Sequence, residues 1–169
     1  APNESVFIVY PAEGVHEGYG ESSLQLQKEK KDTAKEPLNI ALEAKEYTIT
    51  FAANKKTLTR KKLFDWSQES DEQIRYYSGT ATYKTTFRWK NKPNKDQQIY
   101  LNLGTVYNLA TVRVNGVDCG TIWTAPYRAD ITGALKKGIN ELEIEVTNTW
   151  ANALTGADEG KAPFDGIWT

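Results

Sequence analysis

The chain has 169 residues, with 21 basic and 22 acidic side chains, so its formal net charge is −1 at pH 7. This length fits one domain with a core that needs no disulfide, and the balanced charge argues against a dedicated nucleic-acid binder. No apolar run of about 18 residues is present, so we expect no membrane partner. A single histidine, His16, and a single cysteine, Cys119, argue against a zinc site, and we expect no metal or other cofactor.

The N-terminal residues 1–20 are predicted to form a linker strand and a loop. The chain begins with Ala1 and contains no methionine, which indicates either a processed protein or an excised piece of a larger one, and we favour the excised piece. Residues 6–10 are apolar on both faces, which indicates a buried strand or a strand leading in from an upstream domain. The glycine-rich residues 14–23 have no regular period and predict a loop.

Two strands are predicted in the next part of the chain. Leu24 and Leu26 alternate with glutamines before a polar stretch that continues to Pro37, which indicates a strand running into a solvated loop. Residues 47–51 alternate between apolar side chains and threonine and predict the second strand. Residues 55–62 include five basic side chains without an aromatic one, which favours a solvated loop over a nucleic-acid surface.

The centre of a sheet is predicted from residue 64 to residue 103. Trp66 follows Asp65 before an acidic connection, and we expect its ring to be packed. Residues 80–89 form the longest alternating stretch and predict a central strand. Its inward face is expected to carry Tyr83, Thr85, Phe87 and Trp89. Residues 99–103 predict the next inward-facing strand.

The most regular pattern of strands and turns is predicted between residues 109 and 150. Residues 110–114 alternate as a strand with one buried face, and Asn115-Gly116 predicts a tight hairpin because both residues tolerate positive φ. A return strand is expected at 119–123, where Cys119 is predicted to be free and structural. Residues 132–138 predict one helical turn that Gly138 stops, and 142–146 predict another alternating strand.

Three glutamates, Glu141, Glu143 and Glu145, project to one side of this last predicted strand. They repel one another unless basic side chains oppose them across the sheet, and the candidates are Lys84, Arg88 and Arg113. A catalytic carboxylate pair is the alternative, but charges at i and i+2 are typical of a solvated strand face. The sequence also lacks a nucleophile elbow, a P-loop and a dinucleotide fingerprint, so no catalytic residue is assigned.

The order of several short motifs resembles the sugar-binding β-sandwich of glycoside hydrolase family 2. These motifs are Val112 to Gly116, Gly120, Trp123 to Tyr127, Asp130 to Thr132, Leu135 to Asn140 and Val146 to Asn148. Further strings at 76–87, 101–110 and 146–154 are similar to the C-terminal sandwich of the α-L-rhamnosidases of glycoside hydrolase family 106. The resemblance extends over roughly residues 37–156.

The resemblance implies an all-β, antiparallel jelly-roll β-sandwich of the galactose-binding-domain-like type, with residues 1–169 as a single domain. It also implies a non-catalytic, carbohydrate-binding accessory role in a glycan-degrading glycoside hydrolase that is secreted or periplasmic. The expected partners are a plant-cell-wall type glycan and the catalytic domain of the parent enzyme. The alternatives are a structural spacer that packs against the catalytic domain and a stand-alone lectin-like module.

Within this resemblance the candidate carbohydrate-binding residues lie in two loops. They are Trp123, Tyr127, Asn148, Trp150 and Asn152. Pro126 stiffens the first loop, so that its aromatic rings lose little entropy on binding. Tyr127 and Trp150 could instead close the end of the core, and we expect Trp123 to be the most exposed of the three rings. The predicted core consists of Tyr83, Phe87, Leu101, Leu103, Val112, Val114, Leu142, Ile144 and Val146.

Overall fold

Ten strands and two short helices occur in the part of the chain that the computed structural model describes, which is residues 25–30, 38–42, 44, 46–90 and 97–161. The strands are β1 (Gln25–Lys30), β2 (Leu38–Ala41), β3 (Tyr47–Phe51), β4 (Thr57–Arg60), β5 (Thr80–Trp89), β6 (Gln97–Asn102), β7 (Leu109–Val114), β8 (Val117–Ile122), β9 (Arg128–Asp130) and β10 (Gly138–Thr147). The helices are α1 (Glu72–Arg75) and α2 (Ala151–Asp158), and a 3-10 turn spans Trp66–Gln68.

The strands form two sheets in which every hydrogen-bonded pair is antiparallel. The smaller sheet has the order β2-β1-β6-β9, and the larger sheet has the order β4-β3-β5-β10-β7-β8. In the larger sheet β5 and β10 pair over ten residues, from Trp89 opposite Gly138 to Thr80 opposite Thr147. The predicted all-β, antiparallel jelly-roll sandwich is therefore confirmed, with β5 as one of its two central strands.

The core lies between the inward faces of the two sheets. The smaller sheet and the residue that follows β6 contribute Ile99, Leu101, Leu103 and Ala129. Of the predicted inward positions on β5, Tyr83, Phe87 and Trp89 are buried and Thr85 is half-buried, and the polar neighbours Lys84 and Arg88 are exposed. Of the nine predicted core residues, eight are buried, and Val146 is half-buried against the same cluster.

An aromatic cluster closes the core beneath the 3-10 turn. The rings of Phe51, Trp66 and Tyr77 meet edge to face, with centroids 4.9 to 5.8 Å apart. Trp66 also donates from Nε1 to the hydroxyl of Tyr83 across 2.6 Å, which satisfies a buried N–H group. Trp66 is therefore a packed core residue, as the sequence predicts.

The Asn115-Gly116 hairpin is confirmed. Asn115 has a φ of 52° and Gly116 a φ of 79°, the pair of positive values that a type I′ turn requires. The return strand β8 begins two residues earlier than predicted. Residues 132–134 form a hydrogen-bonded turn, but Gly138 is the first residue of β10 and does not end a helix.

The predicted solvated loop at 55–62 is wrong, because residues 57–60 form the edge strand β4. Two of its basic side chains are paired, Lys56 with Asp71 and Arg60 with Glu69. Helix α2 is a second difference, since the sequence predicts only a loop after β10. The predicted strand and loop of residues 1–20 lie outside the described residues.

Candidate functional site

Several loops meet at one end of the larger sheet. The register places Ile122 at the end of β8 opposite Ala110, and Thr147 at the end of β10 opposite both Leu109 and Thr80. The loops after β6, β8 and β10 therefore reach the same end of the sandwich. These loops carry the candidate residues from the sequence.

Three aromatic side chains at this end are exposed, and we call them the aromatic end. Trp123 is 64% exposed, Trp150 is 63% exposed and Tyr107 is 60% exposed. Trp150 does not close the core as one of our interpretations held, and it is as open to solvent as Trp123. Tyr127 is half-buried and packs against the core cluster. The aromatic end thus contains two of the predicted rings and adds Tyr107.

Backbone hydrogen bonds tie the three loops together. Asn108 donates its N–H to the carbonyl oxygen of Thr147, and its side-chain oxygen accepts from the N–H of Thr149, both at 3.0 Å. Leu103 donates its N–H to the carbonyl oxygen of Tyr127 at 2.8 Å. The exposed rings therefore stand on loops that are fixed to one another, which limits the entropy lost on binding.

Asn148 supports these loops through its side-chain amide. Its Oδ1 accepts from the N–H of Gly79 at 2.8 Å, and its Nδ2 donates to the carbonyl oxygen of Tyr77 at 2.9 Å. Both ends of the amide therefore bond the backbone segment that leads into β5. This arrangement holds the loop that carries Trp150.

Asn152 lies on the first turn of α2, two residues after Trp150. Its half-buried side chain lines an open cavity of about 350 Å³ between α2, α1 and the 3-10 turn. Gln68, Arg75 and Glu159 are among the other residues that line this cavity, which we call the α2 pocket. Of the five predicted site residues, Trp123 and Trp150 therefore belong to the aromatic end and Asn152 to the α2 pocket, whereas Tyr127 packs against the core and Asn148 bonds the backbone.

A second, larger groove of about 530 Å³ lies on the outer face of the larger sheet. Glu143 pairs there with Lys84 at 2.8 Å and with Arg113 at 3.1 Å, and Glu145 pairs with Arg113 at 3.0 Å. The predicted opposition of glutamates by Lys84 and Arg113 is confirmed. The hydrogen bond from Lys84 lowers the pKa of Glu143, which is opposite to the shift that a general acid needs.

The described residues contain no group of three or more His, Cys, Asp or Glu side chains that could hold a metal ion. Cys119 is a free, half-buried thiol, and burial is the main cause that raises its pKa. Over the same residues, no helix is long and apolar enough to cross a membrane. His16 lies outside the described part of the chain.

Tyr107 is the site residue that the sequence analysis missed. It lies in the turn-rich segment between β6 and β7, where no apolar period distinguishes it. Its sequence signal is a bulky aromatic residue three positions after Gly104, within a turn-rich connection. Its position beside the Trp150 loop depends on the bonds of Asn108, which the sequence does not reveal.

Two antiparallel sheets in this order define a galactose-binding-like β-sandwich. The model of one family, described as "Glycosyl hydrolase 2 galactose-binding domain-like", matches residues 48–166. The chain belongs to this family. The expected resemblance to the sugar-binding sandwich of glycoside hydrolase family 2 is thereby confirmed at the level of the domain.

Comparison with individual proteins gives a consistent result. The chain is 46% identical, over 104 residues, to a protein of Formosa agariphila named "Putative beta-glucuronidase"; the match covers 61% of the chain and 9% of that protein. A rhamnosidase structure from Novosphingobium sp. PP1Y is 28% identical, with a TM-score of 0.69, over 85% of the chain and 18% of the rhamnosidase. A β-D-glucuronidase structure from Dictyoglomus thermophilum shares the fold at 18% identity, with a TM-score of 0.51, over 83% of the chain and 21% of the enzyme.

Proposed function

We propose that the chain is a non-catalytic, carbohydrate-binding accessory domain of a glycan-degrading glycoside hydrolase. Family membership supports the glycoside hydrolase context, and the Novosphingobium rhamnosidase supports a parent of the α-L-rhamnosidase type. The Formosa agariphila protein named "Putative beta-glucuronidase", together with the family match, supports a family 2 type of parent. The chain spans 9% and 18% of these two proteins. The activity of the whole parent enzyme is therefore part of this proposal.

The observation that carries the proposal is the aromatic end. Trp123, Trp150 and Tyr107 each expose about three-fifths of their surface on loops fixed by backbone bonds. Rings of this kind combine a flat apolar face with a polar edge, and sugars present an apolar ring face between hydroxyl groups. Several large exposed apolar side chains at one end of a folded domain are a candidate binding surface.

We assign distinct roles to the five residues that the sequence identified. Trp123 and Trp150 supply stacking surfaces, and Tyr127 backs the first loop from the core side. Asn148 holds the second loop through Gly79 and Tyr77, and Asn152 offers its amide to hydroxyl groups. The partner glycan is proposed to be of the plant-cell-wall type, and the parent enzyme to be secreted or periplasmic.

The test is retention of the purified chain by plant-cell-wall polysaccharides in affinity electrophoresis. Trp123→Ala and Trp150→Ala are each expected to abolish or strongly reduce retention while the melting temperature stays nearly unchanged, because both rings are exposed. Val117→Ala is the matched control, since Val117 is an exposed apolar residue at the opposite end of β8. Equal retention of wild type and both tryptophan variants would disprove the role of the aromatic end.

The second candidate function is a spacer that packs against the catalytic domain of the parent enzyme. The same exposed aromatic residues favour it, because aromatic side chains are enriched at protein interfaces. A stand-alone lectin-like module is the third candidate. If no polysaccharide retains the chain but Trp123→Ala weakens its association with a separately produced catalytic domain, the spacer function is correct.

A further inference from the structure

The α2 pocket is a site of its own, built by three elements. Gln68 comes from the 3-10 turn, Arg75 ends α1 and Tyr76 follows it, and Asn152 and Thr155 come from α2, with Glu159 as the residue that follows the helix. Asn152 and Thr155 lie on one face of α2 because residues three apart are neighbours on a helix, and Glu159 continues that face past its end. The side of α2 that borders the pocket is therefore polar.

The walls of the pocket are held in place by close packing and by hydrogen bonds. Gly156 lies so near the buried ring of Tyr76 that a Cβ atom at Gly156 would approach Tyr76 Cγ to 2.7 Å. The hydroxyl of Tyr76 donates to Oε2 of Glu159 at 2.6 Å. Arg75 is oriented by the bond from its Nε to the carbonyl oxygen of Glu69 at 2.8 Å. A site with fixed walls binds at a lower entropic cost.

Hydrogen-bonding capacity remains unused inside these walls. Within the described residues, the amide of Asn152 has no hydrogen-bond partner, although the side chain is half-buried. Arg75 bonds through Nε, which leaves its terminal N–H groups available. Oε2 of Glu159 accepts the Tyr76 hydroxyl and lies 3.7 Å from the Lys161 ammonium, which leaves Oε1 available. The pocket thus presents donors and acceptors side by side.

This set of groups selects for a particular ligand chemistry. A ligand must both donate and accept hydrogen bonds to satisfy an amide, a guanidinium and a carboxylate together, and hydroxyl groups do both. The opposite charges of Arg75 and Glu159 favour a ligand without net charge. A volume of about 350 Å³ falls within the range of small-molecule sites.

We propose that the α2 pocket binds one residue of a neutral sugar through the amide of Asn152, the guanidinium of Arg75 and the carboxylate of Glu159. The inference deepens the proposed carbohydrate-binding function and rests on it for the class of ligand. It adds a hydrogen-bonding site to the stacking surface of the aromatic end.

The test is a titration of the ¹⁵N-labelled chain with D-galactose, L-rhamnose and D-glucuronate, followed by NMR. At least one neutral sugar is expected to shift the side-chain amide signals of Asn152 and the backbone signals of residues 152–159. Asn152→Ala is expected to weaken this binding about fivefold, which corresponds to one net hydrogen bond. Asp158→Ala is the matched control, because Asp158 is exposed on α2 and does not line the pocket.

Each outcome separates the pocket from the aromatic end. Absence of shifts with both neutral sugars, equal affinity of wild type and Asn152→Ala, or tighter binding of glucuronate than of either neutral sugar would each overturn the inference. If polysaccharide retains the chain through Trp123 but the NMR signals of the pocket do not shift, the pocket proposal is wrong and the role of the aromatic end stands. If the pocket signals still shift in Trp123→Ala and polysaccharide does not retain the chain, the pocket proposal is supported and the proposed role of the aromatic end is wrong.

Discussion

Asn115 donates from its side-chain amide to the side-chain oxygen of Asn140 across 2.8 Å, and Asn140 is completely buried. Asn140 also bonds both backbone groups of Lys136, accepting from its N–H at 2.9 Å and donating to its carbonyl oxygen at 2.8 Å. Asn115 accepts in turn from the N–H of Glu141 at 3.1 Å. The two asparagines join the β7–β8 hairpin to the turn before β10, and they account for two positions of the motifs that carry the family resemblance.

Replacement of Asn140 by alanine is expected to destabilise the fold by about 2 to 4 kcal/mol, because it leaves buried donors and acceptors unpaired. The measurement is the urea midpoint of unfolding, with an unchanged slope. Asn152→Ala is the matched control, since its amide has no partner in the described structure, and we expect it to change stability by less than about 0.5 kcal/mol. Similar midpoints for the two variants would contradict the prediction.

Replacement of Tyr83 by phenylalanine is expected to cost about 1 to 3 kcal/mol, because the buried Nε1 of Trp66 loses its acceptor. Burial also raises the pKa of Tyr83 to about 12, from an ordinary value of 10.0. The folded state therefore holds this proton more tightly than the unfolded state, and the resulting stability is complete below pH 10.0 and is lost as the pH rises towards about 12.

The measurement for Tyr83 is the free energy of unfolding of wild type and Tyr83→Phe, at a pH below 10.0 and at a pH between 10.0 and about 12. The difference between the two proteins is expected to shrink at the higher pH, because only wild type carries this titrating hydroxyl. A constant difference would show that the hydroxyl is not desolvated.

Replacement of Gly156 by alanine is expected to destabilise the domain although glycine lies within a helix. The change usually gains about 1 kcal/mol in helix propensity. Here the new Cβ would meet the buried Tyr76 ring, and overpacking costs about 1 to 3 kcal/mol. Thermal unfolding should show a lower melting temperature, whereas Gly133→Ala, at a position with open space around it, should not. A raised melting temperature for Gly156→Ala would mean that α2 can move away from Tyr76.

Cys119 is expected to react slowly with a thiol reagent in the folded protein. Burial raises the pKa of its thiol, so that little thiolate is present at neutral pH. The comparison is the rate of labelling with and without denaturant, and unfolding should accelerate it strongly. Equal rates would show that the thiol is open to solvent.

Replacement of Glu143 by glutamine tests the ion-pair cluster on the outer sheet face. The bond from Lys84 lowers the pKa of Glu143, so its contribution is present above the ordinary pKa of 4.5 and is lost as the pH falls below it. We expect a loss of at most about 1 kcal/mol at neutral pH, since the cluster is partly solvated. Glu141→Gln is the control, because Glu141 lies beside the cluster. A loss that persists unchanged in acid would contradict the prediction.

Period-two alternation predicted the buried strands because each has one face in the core. It identified β5, β7 and β10 from positions such as Val112 and Ile144, which the structure buries. The edge strand β4 escaped detection because no side chain in it is fully buried, and its basic residues are typical of sheet edges. The sequence did not predict helix α2 because the helix has no side-chain N-cap and contains Gly156. Its packing against Tyr76, which local sequence does not reveal, stabilises it.

The candidate site could be predicted only in part. The turn signals around Pro126 indicated that Trp123 lies in a loop, and its exposure follows from that position. The pairing of Asn148 with Gly79 joins residues 69 positions apart, and local sequence contains no trace of such a contact. The place of Asn152 in the α2 pocket could not be predicted for the same reason, since it depends on contacts of α2 with the distant residues 68, 75 and 76.

The long pairing of β5 with β10 also governs how this domain is made. Thr80 and Thr147 lie opposite each other but 67 residues apart, so β5 leaves the ribosome well before its partner is synthesised. At about 5 to 20 residues per second this delay lasts about 3 to 13 seconds. During that interval one edge of an aromatic-rich strand has no native partner. This edge of β5 therefore stays unpaired in the nascent chain until β10 has also left the ribosome.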